Sequence, residues 1–315
     1  MYYPYLRGKQ FELLCLREFA MENQNNSKIV PIIEPVKQQV KSINMAVDAM
    51  IANGVKFSLV LNPTDGDFKH IADNDIIKSL PRLSSEKDNW IPSYIYRNNG
   101  YDLLKHADKH GLSGLMIIFP NGANVNDTNT MEFLMNDRIE YIVSGNLGAN
   151  RSTRARLLRT GKSVISLEER FKDLTRNADY ANNTDEMYSE DFVYYREDGL
   201  AGFADYTTMG KNLIEGGMLP YAIAIHLTYL KYEDQIYVHH FVSDNNYDQT
   251  NIRGKFHEAA VKIESFYITG GYFRTSAVDE LIEKAKSDNG YPGLGYIKKL
   301  SLKNHLELIN YVMSK

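Results

Sequence analysis

Two cations and a carboxylate stand at the ends of the first two apolar runs. Tyr2-Tyr3-Pro4-Tyr5-Leu6-Arg7-Gly8-Lys9 ends in Arg7 and Lys9, and Ile32-Ile33-Glu34-Pro35 ends in Glu34. Side chains alternate on an extended chain, so Tyr5, Arg7 and Lys9 share one face. A basic pair facing a carboxylate can bind a phosphate or carboxylate group and move a proton. Later apolar runs end in the same manner, at Asn62, Arg97, Asn121, Ser144, Asn146, Glu168 and Asp205. This pattern gives Arg7, Lys9, Asn62, Arg97 and Asn146 as substrate-binding residues. Glu34, Glu168 and Asp205 become the catalytic carboxylates, with Glu34 or Glu168 as general base, or as ligands of one divalent cation together with Asp205. Oxygen donors without a cysteine cluster suit magnesium or manganese better than zinc. The bland reading of the same residues is a set of structural ion pairs at polar strand ends. Glu12 falls one turn into the first helix and reads as a cap or a partner of Lys9.

Other chemistries find less support. His226, His239 and His240 lie on strong strand patterns, and neighbours on a strand face opposite ways, so His239 and His240 cannot share a site. Packing against tyrosines is their default role, with His226 a fallback metal ligand. No Gly-x-Ser-x-Gly elbow is present. Gly210 to Gly217 lacks the Gly-Lys-Ser/Thr of a nucleotide loop and reads as a flexible lid or connection. Arg151, Arg154, Arg156 and Arg159 form a basic helix whose default is a solvated face. Cys15 sits among leucines and reads as a buried small hydrophobe.

The elements that must carry these residues alternate. Strands are expected at Tyr3 to Arg7, Ile29 to Ile33, Phe57 to Leu61, Trp90 to Tyr96, Leu115 to Phe119, Ile139 to Val143 and Ser163 to Leu167. Helical patterns lie between them, the third near Ile71 to Leu80. Strand and helix in regular alternation imply parallel strands with right-handed crossovers. Seven such units point to a closed (β/α)8 barrel, in which chemistry sits at the C-terminal strand ends. A doubly wound open sheet lacks its Gly-rich fingerprint after the first strand. Phe203 to Thr207 is the favoured closing strand, with Ala222 to Thr228 as the alternative. The runs Ala222 to Tyr229 and Ile236 to Val242 read as an added antiparallel hairpin. Asp179 to Asp198 reads as a long surface loop with room for one helix. Helices at Asn251 to Tyr267, Ser276 to Ser287 and Ser301 to Met313 finish the chain. No linker composition divides it, so residues 1–315 are expected to form one domain.

Composition sets outer limits. The chain has 315 residues and a net charge of −4, which argues against a protein that binds nucleic acid by bulk charge. Its single cysteine excludes an internal disulfide and suits a reducing cytoplasm. No charged-then-apolar leader opens the sequence, and no apolar run reaches the length of a membrane helix.

The opening motif, together with Pro31-Ile32-Ile33-Glu34-Pro35-Val36-Lys37, resembles the phage beta-protein family of bacterial and phage proteins. Gly202-Phe203-Ala204-Asp205-Tyr206, Pro220 to Thr228 and His240-Phe241-Val242-Ser243-Asp244 extend the resemblance over most of the chain. It implies a barrel-like fold and an association with phage–host conflict, and it gives no residue a role. Three functions compete. The first is a hydrolase, phosphodiesterase-like in character, acting on a phosphorylated or anionic small molecule at the barrel mouth. The second is a non-catalytic defence or anti-defence module, which binds a protein partner through the mouth or through the tyrosine-rich stretch Tyr180 to Tyr206. Nucleic-acid binding by the Arg151 to Arg159 helix is the weakest, given the acidic total charge.

Overall fold

The computed structural model describes residues 1–68, 76–214, 216, 219–287 and 290–315. They divide into two compact units, Met1–Glu169 with Val193–Tyr206, and Arg170–Phe192 with Thr207–Lys315.

The first unit is a nearly closed barrel of eight parallel strands with helices between them. In chain order it runs β1 (Tyr5–Leu6), α1 (Gln10–Glu22), β2 (Ile32–Ile33), α2 (Lys41–Ala52), β3 (Phe57–Val60), α3 (Arg82–Ser85), β4 (Trp90–Ile95), α4 (Gly100–His110), β5 (Leu115–Phe119), α5 (Thr128–Leu134), β6 (Ile139–Gly145), α6 (Arg151–Leu158) and β7 (Ser163–Glu168). The chain then leaves for β8 (Asp185–Ser189) and α7 (Asp191–Tyr194), and returns with β9 (Gly202–Asp205) beside β7. Closure comes from backbone bonds of Tyr3 N–H to Phe203 O at 2.8 Å and Phe203 N–H to Met1 O at 3.1 Å. Gly202 permits this approach: a Cβ there would lie 2.6 Å from both Met1 O and the Tyr3 ring. Thus the eighth barrel strand is the Gly202–Asp205 run and not Ala222 to Thr228.

Apolar alternation fixes which side chains fill the barrel. Tyr3, Tyr5, Val30, Ile32, Val60, Ile91, Ile95, Met116, Ile118, Val143, Ile165, Leu167, Ala204 and Tyr206 form one buried cluster. Where a strand supplies more than one, they are two or four residues apart, as one face of a pleated strand requires. Pro92 sits inside β4 without harm, because the ladder to β5 begins only at Ser93. Of the helix expected near Ile71 to Leu80, residues 71–75 lie outside the described residues, and Ile76–Ser79 is a single 3₁₀ turn.

The second unit is a three-stranded antiparallel sheet with helices. Strands β10 (Ala224–Tyr232) and β11 (Gln235–Val242) form the expected hairpin, and β8 adds to the free edge of β11. Asp179 to Asp198 therefore carries the helix it had room for, as α7, and also a strand where a loop was expected. The strand Asp185–Ser189 escapes a sequence reading because it is short and carries little apolar alternation; its backbone bonds to β11 define it. Helices α8 (Ile252–Gly270), α9 (Ser276–Lys286) and α10 (Leu294–Val312) follow. Ile225, Leu227 and Tyr229 of β10 pack with Phe256, Ile263, Leu281 and Leu300 in one core. The Asn251 and Thr275 side chains cap α8 and α9 by accepting backbone N–H bonds from Gly254 and Val278. Within the glycine-rich segment Gly210 to Gly217, positions 215 and 217 lie outside the described residues. No helix among the described residues is long and apolar enough to cross a membrane.

Candidate functional site at the barrel mouth

Arg7 and Glu34 continue the inward faces of β1 and β2 by one step beyond Tyr5 and Ile32. Parallel pairing of Tyr5 with Ile32 brings these two strand ends together. Glu34 is fully buried. Its Oε2 accepts hydrogen bonds from the Tyr5 hydroxyl at 2.7 Å and from Arg7 Nη1. Oε1 accepts from the Thr64 N–H at 3.2 Å and the Thr64 hydroxyl at 3.3 Å. Arg7 Nη1 also meets Asp65 at 2.9 Å. The guanidinium carbon lies 5.4 Å from the centre of the Tyr5 ring and 6.0 Å from that of Tyr206. Arg7 Nη1 thus meets both a buried carboxylate and a loop carboxylate that is 29 % exposed.

Electrostatics keep the Arg7 guanidinium charged and the neighbouring phenols protonated. Burial works against the Arg7 charge, but the Glu34 carboxylate, with Tyr5 and Asp65, more than offsets it and raises its pKa. Burial and then Glu34 push the Tyr5 phenol well above its ordinary value, so it remains a donor. The Tyr206 phenol rises as well, through burial and the Glu34 and Glu169 carboxylates, with Arg7 opposing.

The loop after β3 is fastened over Glu34. Gly66 has φ +61°, and a Cβ there would lie 2.2 Å from Val36 O. The Asp67 N–H donates to Val36 O at 2.9 Å, and its carboxylate accepts from the Gln38 N–H and from Lys37 Nζ, each at 3.1 Å. This loop delivers Thr64 and Asp65.

The other expected residues lie elsewhere or are otherwise engaged. Asn62 clasps the end of β4 with two 2.8 Å bonds to the Ile95 backbone. Asn146 adopts φ 60° and reaches Asn121 O at 3.5 Å. Arg97 is exposed, with its backbone N–H bound to Asn99. Lys9 is half-buried and acts on Glu12, a buried carboxylate whose pKa burial raises while the Lys9 charge and the Lys9 and Arg7 N–H groups oppose. Glu168 and Asp205 are register partners, one step off the inward residues Leu167, Ala204 and Tyr206. Alternation therefore turns both away from the barrel interior. Glu168 accepts from the Ser166 hydroxyl at 2.7 Å and the Gly148 N–H at 3.0 Å. Asp205 accepts from the Tyr2 hydroxyl at 2.7 Å. The structure brings Arg7 and Glu34 together and leaves Asp205 with Tyr2.

Thr64, Asp65, Tyr206 and Glu169 are residues the sequence reading missed as site components. Counting by two from Ile165 and Leu167 would have found Glu169. Counting from Ala204 would have found Tyr206. Thr64 and Asp65 lie in a loop, where no period exists to count.

Tyr180, Tyr188, Tyr195 and Tyr206 of the tyrosine-rich stretch are all buried, and Tyr194 is 40 % exposed. On the basic helix, Arg154 pairs with Asp198 at 2.8 Å and Arg156 bonds Asn126 at 2.7 Å. Among the described residues, no group of three or more His, Cys, Asp or Glu is arranged to hold a metal ion.

The second unit houses His226, His239 and His240. His226 and His240 face each other across the hairpin, with their Nδ1 atoms 2.7 Å apart and the Phe171 and Tyr180 rings against both. Burial lowers the His240 pKa to about 4 and that of His226 well below the ordinary value. A folded-state pKa below the unfolded one means that protonation favours unfolding. The melting temperature is therefore expected to hold above pH 6.5 and to fall as the pH drops from 6.5 toward 4. His240→Leu should flatten that slope in thermal melts across the range; an unchanged slope would assign it to other groups.

No family model matches the sequence, and neither does any curated protein.

Proposed function

We propose that the protein is an enzyme of the hydrolase class that takes a phosphorylated or otherwise anionic substrate at its barrel mouth, with Arg7 as the anion anchor. The observation that carries this reading is that Arg7 Nη1 is shared between two unlike carboxylates. Glu34 is buried and saturated by four donors. Asp65 is accessible and sits on a loop. A substrate anion can take the place of Asp65 and engage the guanidinium fork. Glu34 then serves as a positioning residue. Glu169 is exposed and has no hydrogen-bond or ion-pair partner among the described residues. It supplies the general base in this reading, and its charge already acts on the Tyr206 phenol. The resemblance of the opening motif to the phage beta-protein family sets this activity in phage–host conflict.

Hydrolysis of p-nitrophenyl phosphate and bis(p-nitrophenyl) phosphate, with and without manganese, is the direct test. Asp65→Asn removes the competing carboxylate and should lower KM about fivefold, equivalent to about 1 kcal/mol. Arg7→Lys keeps the charge beside Glu34 but loses the fork, and should raise KM at least about tenfold. Turnover of neither ester, or full activity in Arg7→Lys, would remove this reading. One observation favours the partner-binding module in that event: two carboxylates already neutralise Arg7, so the centre of the mouth carries no excess positive charge.

A further inference from the structure

The second unit holds a cavity of about 670 Å³, unrelated to the barrel-mouth reading. Its walls include His239 and Phe241 of β11, Lys262, Ser265 and Phe266 of α8, and Tyr272 just beyond that helix. The volume falls in the range of small-molecule sites. Phe266 is the centre of an aromatic wall. Its ring centroid lies 4.1 Å from His239, 5.2 Å from Tyr272 and 5.4 Å from Phe241. Rings so clustered present faces and edges to a planar guest.

Two polar groups give the wall direction. His239 Nδ1 lies 3.4 Å from Asp185 Oδ1. That carboxylate is itself fixed by the Tyr229 hydroxyl at 2.7 Å and Lys231 Nζ at 2.5 Å. Burial lowers the His239 pKa, so the imidazole is neutral at pH 7. With Nδ1 turned to a carboxylate, Nε2 is the nitrogen left to accept a ligand's N–H or O–H. Lys262 Nζ bonds Val242 O at 2.8 Å and Asp244 at 2.7 Å, and the Asp244 carboxylate is 73 % exposed. An exposed pair of this kind is weak, and a ligand anion can replace Asp244. His240, although next in sequence, turns to the opposite face, toward Phe171, Tyr180 and His226.

We infer that this cavity binds a planar heteroaromatic molecule carrying an anionic group, of nucleotide size. Phe266 and Tyr272 stack on it, His239 accepts a hydrogen bond from it, and Lys262 meets its anion. An aliphatic chain would leave His239 and Lys262 unused.

Calorimetric titration of the whole chain with adenosine, guanosine and their 5′-monophosphates tests this. The monophosphates should bind more tightly than the nucleosides. Lys262→Gln should narrow that gap, and Asp244→Asn should widen it about fivefold. Ser265 is exposed on α8, and its hydroxyl bonds only the Lys262 carbonyl, so Ser265→Trp fills the cavity without disturbing the core. This variant should keep its melting temperature and lose binding. Arg7→Lys should bind like the parent, which separates this site from the barrel mouth. Undiminished binding in Ser265→Trp, or no binding of all four compounds at millimolar concentration, would overturn the inference.

Discussion

Glu34→Ala is expected to lower the stability of the protein by about 3–5 kcal/mol, because it leaves a partly buried cation without its main partner. Glu34 has no exposed surface, and four hydrogen bonds end on its carboxylate. Removing it strands the Tyr5 hydroxyl and both Thr64 donors as well as Arg7. Asp65 remains, but on a surface loop it recovers only part of the loss. Urea unfolding of the single variant and of the double variant Arg7→Met with Glu34→Leu separates the terms. Replacing both charges with apolar groups of similar size should restore most of the stability, since a buried pair is often no better than its apolar substitute. The double variant should still lack anion binding. A single variant within about 0.5 kcal/mol of the parent, the range of ordinary surface substitutions, would mean that the pair carries no structural load.

Gly66→Ala is the second large effect. The residue needs φ +61°, and a Cβ would meet the Val36 carbonyl oxygen at 2.2 Å, a backbone atom that cannot swing aside. Strain of this kind costs of order 1–3 kcal/mol, and here the loop can relieve it only by lifting. Lifting would take Thr64 from Glu34 and Asp65 from Arg7. Hydrogen exchange should accordingly speed up at residues 34–38 and 62–68 while the rest of the barrel stays protected. Gly161→Ala is the control. Gly161 has a similar φ of +72°, but nothing lies within 4 Å of its added Cβ, so strain acts there without a clash. Equal destabilisation in the two variants, with no local change in exchange, would show that the loop is not clamped on Val36.

The barrel was legible in the chain. Short continuous apolar runs such as Leu115 to Phe119, bounded by turn residues, read as strands covered on both faces, and their alternation with helical patterns leaves parallel crossovers as the economical arrangement. The opening charges were legible too, since Arg7 and Glu34 end runs whose alternation is unambiguous. Side-chain period then gave the face of Arg7 through Tyr5.

Tertiary structure decided the rest, and the reason is that period two defines faces but not which face is inside. Glu168 and Glu169 are equally good strand-end carboxylates in the sequence. Packing of Ile165 and Leu167 into the barrel sends Glu168 to Ser166 and Gly148, while the exposed Glu169 acts on the Tyr206 phenol. The same packing places Asp205 with Tyr2 and Tyr206 beside Arg7. Thr64 and Asp65 belong to a loop whose conformation is set by contacts with Val36 to Gln38, about thirty residues away in sequence. The strand Asp185–Ser189 exists because the edge of β11 offers unpaired backbone groups, which no local composition reports. Local sequence determined the elements and their order; long-range packing and backbone pairing determined which charges meet.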